Sequence, residues 1–184
     1  PAIVAILPPA RQIAEDPDLI TGLRGGSWVN GTLDLALTLL PGTRSVFVIN
    51  GARDDNEEIE SEVELQLKTY PRDLEFVHLR NLPLDDLVSR VATLPRDSIV
   101  LFFRQTMRSR SEDVDQFEAL AQIVEAAPVP VLSPVEEFVG HGTLGGYVWR
   151  FETDATRIAD MATRIASGVP VRKIPIGELT QTNM

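Results

Sequence analysis

Short, nearly unbroken apolar runs recur along this chain, separated by stretches of helical periodicity. That alternation restricts the fold more than any other feature. Ala2–Leu7, Ser45–Ile49 (SVFVI), Leu74–Leu79 (LEFVHL), Ser98–Phe103 (SIVLFF) and Val129–Leu132 read as strands. Apolar spacing predicts helices over Gly31–Leu40, Asp55–Thr69, Leu84–Leu94 and Val114–Ala126, with a further strand over Tyr147–Phe151 and a helix over Thr153–Ser167. Pro41-Gly42 and Pro71 stop two of these helices. Strands without polar alternation are buried on both faces, which is the mark of parallel pairing. Strand–helix alternation of this length means right-handed βαβ units, hence an α/β fold with a doubly wound parallel sheet. The most hydrophobic run, Ser98–Phe103, is expected at its centre, flanked by Ser45–Ile49 and Leu74–Leu79, with helices on both faces. Residues 10–27, polar and carrying Pro17, Gly22, Gly25 and Gly26, read as loop.

Charge and composition remove several function classes. The net charge of −10 argues against nucleic acid and against an anionic membrane surface, because too few cations are available to neutralise phosphate. Cysteine is absent, which excludes a disulfide framework and thiolate chemistry. No apolar run approaches the ~20 residues of a membrane span. Pro1 stands where an initiating Met would, so the chain reads as a processed or excised product whose leader could have been removed.

In a doubly wound sheet, ligands bind beyond the carboxyl ends of the strands. That rule selects Asn50 and Arg53 after the strand at 45–49, Arg80 and Asn81 after 74–79, Arg104 and Gln105 after 98–103, and Ser133 after 129–132. A glycine-rich loop follows, with Gly140, His141, Gly142, Gly145 and Gly146. Glycines there admit positive φ and close approach of the backbone to a ligand or a neighbour. Taken singly, Asn50-Gly51 and Arg80-Asn81 also read as turn chemistry. Taken together, the set reads as a ligand site. Arginine forks at Arg53 and Arg104 suit an anionic or zwitterionic small molecule. The competing reading pairs Arg104, Arg108 and Arg110 with Glu112, Asp113 and Asp115 on the surface.

Catalytic readings are weaker, and the chain is expected to be a binding module, without intrinsic catalysis, cofactor or metal. Asp54-Asp55 and Glu57-Glu58 open an acidic helix, where they offset its dipole. His78 lies inside a strand and reads as structural, and His141 is the one histidine in a ligand-facing position. Two separated histidines do not make a metal site of usual spacing. Gly-His-Gly-Thr-Leu-Gly-Gly lacks the Lys-Ser/Thr of a phosphate loop, and no Gly-x-Ser-x-Gly elbow is present.

Three stretches carry a resemblance. They are Thr21-Gly22-Leu23, then Gly31-Thr32-Leu33-x-Leu35-Ala36-x-x-Leu39-x-Pro41, then VFVINGARDDNE. With Pro128–Val131, Gly140-x-Gly142-x-x-Gly145-Gly146-Tyr147-Val148, Ala162-x-x-Ile165-x-x-Gly168-x-Pro170 and Ile174-Pro175, the chain resembles the ABC-transporter substrate-binding-like family. The flavour is the one found as a sensor ahead of bacterial PAS and histidine-kinase modules. The resemblance implies a Rossmann-like lobe of a type I periplasmic binding protein, located outside the cytoplasm. It implies a ligand between two lobes, on residues matching Asn50, Arg53 and the loop near Gly142. The main expectation is a sensor domain feeding a histidine kinase. The alternatives are the solute-binding component of an ABC transporter and, further off, a flavodoxin-like or nucleotide-binding enzyme. The chain departs from the family at Arg104–Arg110, where relatives often carry Asp-x-x-Gly, and it lacks the family's upstream first-lobe segment. It is therefore read as mainly one lobe (about 28–132) with remnants of a second (1–10 and 140–184). The lobe face left open would offer a route to a homodimer.

Overall fold

The fold is described from a computed structural model, which covers residues 3–7, 19–50, 57–80, 82–103, 107–108 and 113–184. In chain order the elements are β1 (Ile3–Leu7), β2 (Ile20–Arg24), α1 (Trp28–Leu39), β3 (Ser45–Ile49), α2 (Glu57–Lys68), β4 (Glu75–His78), α3 (Leu84–Val91) and β5 (Ser98–Phe102). There follow β6 (Met107–Arg108), β7 (Asp113–Val114), α4 (Gln116–Ala126), β8 (Val131–Leu132), β9 (Tyr147–Trp149), α5 (Phe151–Ala166), β10 (Gly177–Glu178) and β11 (Gln181–Asn183). The chain divides into two compact units. The first combines Pro1–Trp28 with Trp149–Thr182, and the second is Val29–Val148 with Asn183–Met184. The second carries ten basic and twenty acidic residues and the first seven of each, so the whole net charge resides on the second.

The second unit is built on a parallel sheet of order β4-β3-β5-β8. Ser45 lies opposite Glu75 on one side and Ser98 on the other. All five residues of β5 are buried. Phe47, Ile49, Val100 and Phe102 join Leu84, Leu87, Leu120, Ile123 and Phe138 in one core beneath α3 and α4. Val46, Val48, Ile99 and Leu101 point to the other face and are equally buried. Each such side chain contributes roughly 1.5–3 kcal/mol on leaving water. The expected neighbours of β5 need one correction. β4 pairs with β3 and forms the sheet edge, while β8 takes the second side of β5. The run LEFVHL carries Glu75 and His78, and its half-exposed pattern fits an edge strand.

On α1, Gly31 has no room for a side chain, since a Cβ there would stand 2.2 Å from the Tyr147 ring. α2 supplies two ties to α1. Gln66 Oε1 accepts from the amides of Val29 (3.1 Å) and Asn30 (3.4 Å), two donors that a helix start leaves unsatisfied. The Gln66 amide in turn donates to Glu62 at 2.7 Å. Just beyond α2, Tyr70 donates its hydroxyl to Asp34 at 2.7 Å, and burial together with Asp34 raises the phenol pKa.

In the first unit, β1, β2 and β10 form a three-stranded parallel sheet, with Ile3 opposite Ile20 and Gly177 opposite Leu23. This corrects the loop expected over residues 10–27, of which Ile20–Arg24 is a strand. Its sequence, ITGLR, has no apolar run, and its partners are distant in the chain. α5 packs on β1 and β2, and its one buried residue is the carboxylate Asp154. Asp154 accepts from Trp149 Nε1 (2.7 Å), Arg157 (2.7 Å), the Thr180 amide (2.7 Å) and the Thr180 hydroxyl (2.9 Å). Arg157 also donates to the Glu178 carbonyl at 2.8 Å. Among the described residues, no helix is long and apolar enough to cross a membrane.

Candidate ligand site

The four parallel strands of the second unit end at one edge, at Asn50, Leu79-Arg80, Phe103 and Ser133. Helices connecting consecutive parallel strands run antiparallel to them. α2, α3 and α4 therefore open at this same edge, and α1, which leads into the start of β3, opens there too.

Asn50 is 7% exposed and stands at the mouth of an inner strand. A polar side chain at such a strand end can offer its amide to a ligand. Asn30, in the first turn of α1, has its Oδ1 buried and without a partner among the described residues. Asn30 is not among the expected site residues, because the spacing starts the helix at Gly31. The missed signal is Trp28-Val29, whose apolar pair already belongs to the first turn.

The other expected residues divide. Ser133 is fully buried and turned onto its own loop, its amide donating to Gly145 (3.0 Å) and its Oγ accepting from Val135 (3.2 Å). Gly140 has φ +87° with open space beside it, whereas Gly142, at φ +90°, lies against Val124 of α4. His141 is exposed, its ring centroid 4.7 Å from that of Phe117. Thr143 donates its hydroxyl to the Phe138 carbonyl at 2.8 Å, and Leu144 donates its amide to Val131 at 2.7 Å. Much of the glycine loop is thus folded onto its own unit. Arg53, Arg104 and Gln105 lie outside the described residues, as do Asn81, Arg110 and Glu112. Asp115 serves as the N-cap of α4, accepting from Phe117 (2.9 Å) and Glu118 (3.3 Å).

Arg80 is committed to α2, with Glu60 at 3.2 Å and Glu64 in contact. The guanidinium also meets His78 Nδ1 at 3.1 Å. The same ring nitrogen also stands 3.5 Å from a Glu64 carboxylate oxygen. Burial holds the His78 pKa below its ordinary value, partly offset by Glu60. No group of three metal-ligating side chains is present among the described residues. A cleft of about 350 Å³, lined by Leu40, Gly42, Thr43, Arg96, Asp97, Ser98 and Pro130, opens at the amino end of the strands, away from Asn50 and Ser133. Topology favours the carboxyl edge over this cleft.

No protein-family model matches the sequence, and no curated protein matches it. Solved structures do match. A ligand-free, open substrate-binding protein with adhesive properties from Clostridium difficile aligns with 99% of this chain and 62% of its own, at 16% identity and a TM-score of 0.70. A periplasmic sugar-binding protein of an ABC sugar transporter from Legionella pneumophila aligns with 98% of this chain and 69% of its own, at 16% identity and a TM-score of 0.58. An ABC domain in complex with L-Trp from Streptococcus pneumoniae aligns with 88% of this chain and 53% of its own, at 12% identity and a TM-score of 0.58. This chain thus spans roughly half to two thirds of the length of these structures. The parallel sheets, their helices and these alignments together identify the fold as that of the periplasmic binding proteins.

Proposed function

We propose that this chain is the ligand-recognition part of an extracytoplasmic solute-binding protein, which takes up a small molecule without transforming it. The observation that carries the reading is Asn50, a polar side chain only 7% exposed, at the carboxyl edge of a periplasmic-binding-protein sheet. Arg53, Arg104 and Gln105 follow the neighbouring strand ends in sequence and would supply further polar contacts. The whole net charge of −10 sits on this unit, which disfavours a dianion and favours a neutral or zwitterionic ligand. The similar structures with stated ligands, L-Trp in one and sugar in another, fit that charge class. They also favour delivery to a transporter over sensory input to a kinase, which stands as the second reading.

The test is a thermal-shift and calorimetric screen of amino acids, sugars and organic anions. A specific ligand stabilises by ~2.7 kcal/mol at a hundredfold excess over Kd. A neutral or zwitterionic compound should bind, and Asn50→Ala should weaken it about tenfold or more without lowering the melting temperature. Unchanged affinity in Asn50→Ala would remove the site, and exclusive binding of a dicarboxylate would remove the charge argument.

A further inference from the structure

The first unit has a carboxyl edge of its own. β2 is the inner strand of its parallel sheet, and Gly25-Gly26 follow directly. β9 and β11 form a two-stranded ribbon. Gly146 and Met184 exchange both backbone hydrogen bonds at 3.0 Å, and the Arg150 amide donates to Thr180 at 2.9 Å. These two pairs fix an antiparallel register that places Trp149 opposite Gln181, with side chains on one face.

Three features converge there. The Trp149 ring is held by its Nε1–H bond to Asp154. The Phe151 ring meets it edge-on, centroids 5.6 Å apart and planes at 68°, yet Phe151 remains 61% exposed. Gln181 lies against Gly26 so closely that a Cβ there would stand 2.6 Å from Oε1. The other end of that amide, Nε2, is buried and donates to none of the described residues. A held aromatic ring, an exposed aromatic ring and an unused buried donor at the carboxyl end of a parallel sheet form a stacking surface with a polar anchor.

We propose that Trp149, Phe151 and Gln181 form a subsite for a flat ring with a hydrogen-bond acceptor on its edge. The ring lies against Phe151, bordered by its edge-on partner Trp149, and its acceptor receives a hydrogen bond from Gln181 Nε2–H. Aromatic and pyranose rings share this chemistry. The inference deepens the small-molecule reading above but stands on different residues.

The experiment uses the 184-residue chain with L-tryptophan, D-glucose and, as a ringless control, L-leucine. Saturation-transfer NMR detects binding and calorimetry measures Kd. One ring-bearing probe should bind. Phe151→Ala should weaken it about fivefold or more, and Phe151→Trp should restore it. Gln181→Met should weaken it similarly while leaving the melting temperature at or above wild type, because an unmet buried donor is removed. Absence of binding by both ring probes, or wild-type affinity in both Phe151→Ala and Gln181→Met, overturns the subsite. If Asn50→Ala loses binding while the Phe151 and Gln181 variants keep it, the subsite fails and the earlier reading survives. The reverse pattern sustains the subsite and removes Asn50.

Discussion

Trp149 donates its indole N–H to Asp154 over 2.7 Å, and the carboxylate that receives it has no exposed surface. A single buried acid therefore anchors the start of α5, the Thr180 backbone and an aromatic ring. Burial alone would raise the Asp154 pKa. The hydrogen bonds from Thr180, Arg157 and Trp149 outweigh burial and hold it below its ordinary value.

Replacing this acid should be costly. Asp154→Asn presents an NH₂ group to donors and is expected to destabilise the chain by about 2–4 kcal/mol in urea titration. Because the folded pKa is depressed, the stabilisation is present above the unfolded value of about 3.9 and is lost as pH falls through the folded one. The gap between wild type and Asp154→Asn should therefore narrow below about pH 4. A gap constant down to pH 2.5, on the order of one unit below any ordinary carboxylate, would contradict the assignment.

His78 predicts a second pH window. Its folded pKa is lowered, first by burial, so the unfolded chain takes the proton first as pH falls. Stability is full above the unfolded value of about 6.5 and declines as pH drops toward the folded one. Asn at this position offers Arg80 an acceptor that does not titrate. Melting temperatures between about pH 7 and 5.5 should fall more steeply for wild type than for His78→Asn, and parallel curves would refute this.

Gly31→Ala reverses the usual rule. Alanine in a helix normally gains about 1 kcal/mol over glycine. Here the new methyl would meet the Tyr147 ring, so a loss of roughly 1–3 kcal/mol is expected. In a Tyr147→Ala background the same change should become neutral or stabilising. Additive effects in that double-mutant cycle would show that the two residues do not touch.

Gln66 acts as a remote cap for α1. Gln66→Met keeps the volume but strips the acceptor from the Val29 and Asn30 amides, and should lower stability by about 1–2 kcal/mol. A chemical-denaturation midpoint equal to wild type would mean that those amides find water instead.

The second unit was legible because its strands announce themselves locally. SVFVI and SIVLFF are apolar on both faces, and the helices between them carry plain 3.6-residue spacing. Strand order was less legible, because β8 displaces β4 beside β5 through pairing that no local pattern encodes. β2 escaped for the same reason, since Thr21 and Gly22 say nothing of strand until β1 and β10 flank them. Asn50 followed from the strand-end rule alone. The unpaired buried atoms of Asn30 and Gln181 depend on distant packing that no local pattern encodes. Gly142 and Gly146 show the converse. Their lack of side chains is explained by Val124 and by the Ser133 carbonyl before any ligand is invoked.

The first unit is woven from two stretches far apart in the sequence, Pro1–Trp28 and Trp149–Thr182, and that separation bears on how it closes. Thr21 donates to the carbonyl of Ile174 across 153 positions, and the second side of β2 is paired by β10. The second unit is almost one unbroken stretch and closes on short loops. Parallel pairing of β2 with β10 over so long a separation is entropically slow, so on refolding of these 184 residues that pairing should close later than the second unit's sheet. A chain cut shortly after Trp149 would keep most of the second unit's folding while leaving two strands of the first with nothing to close upon.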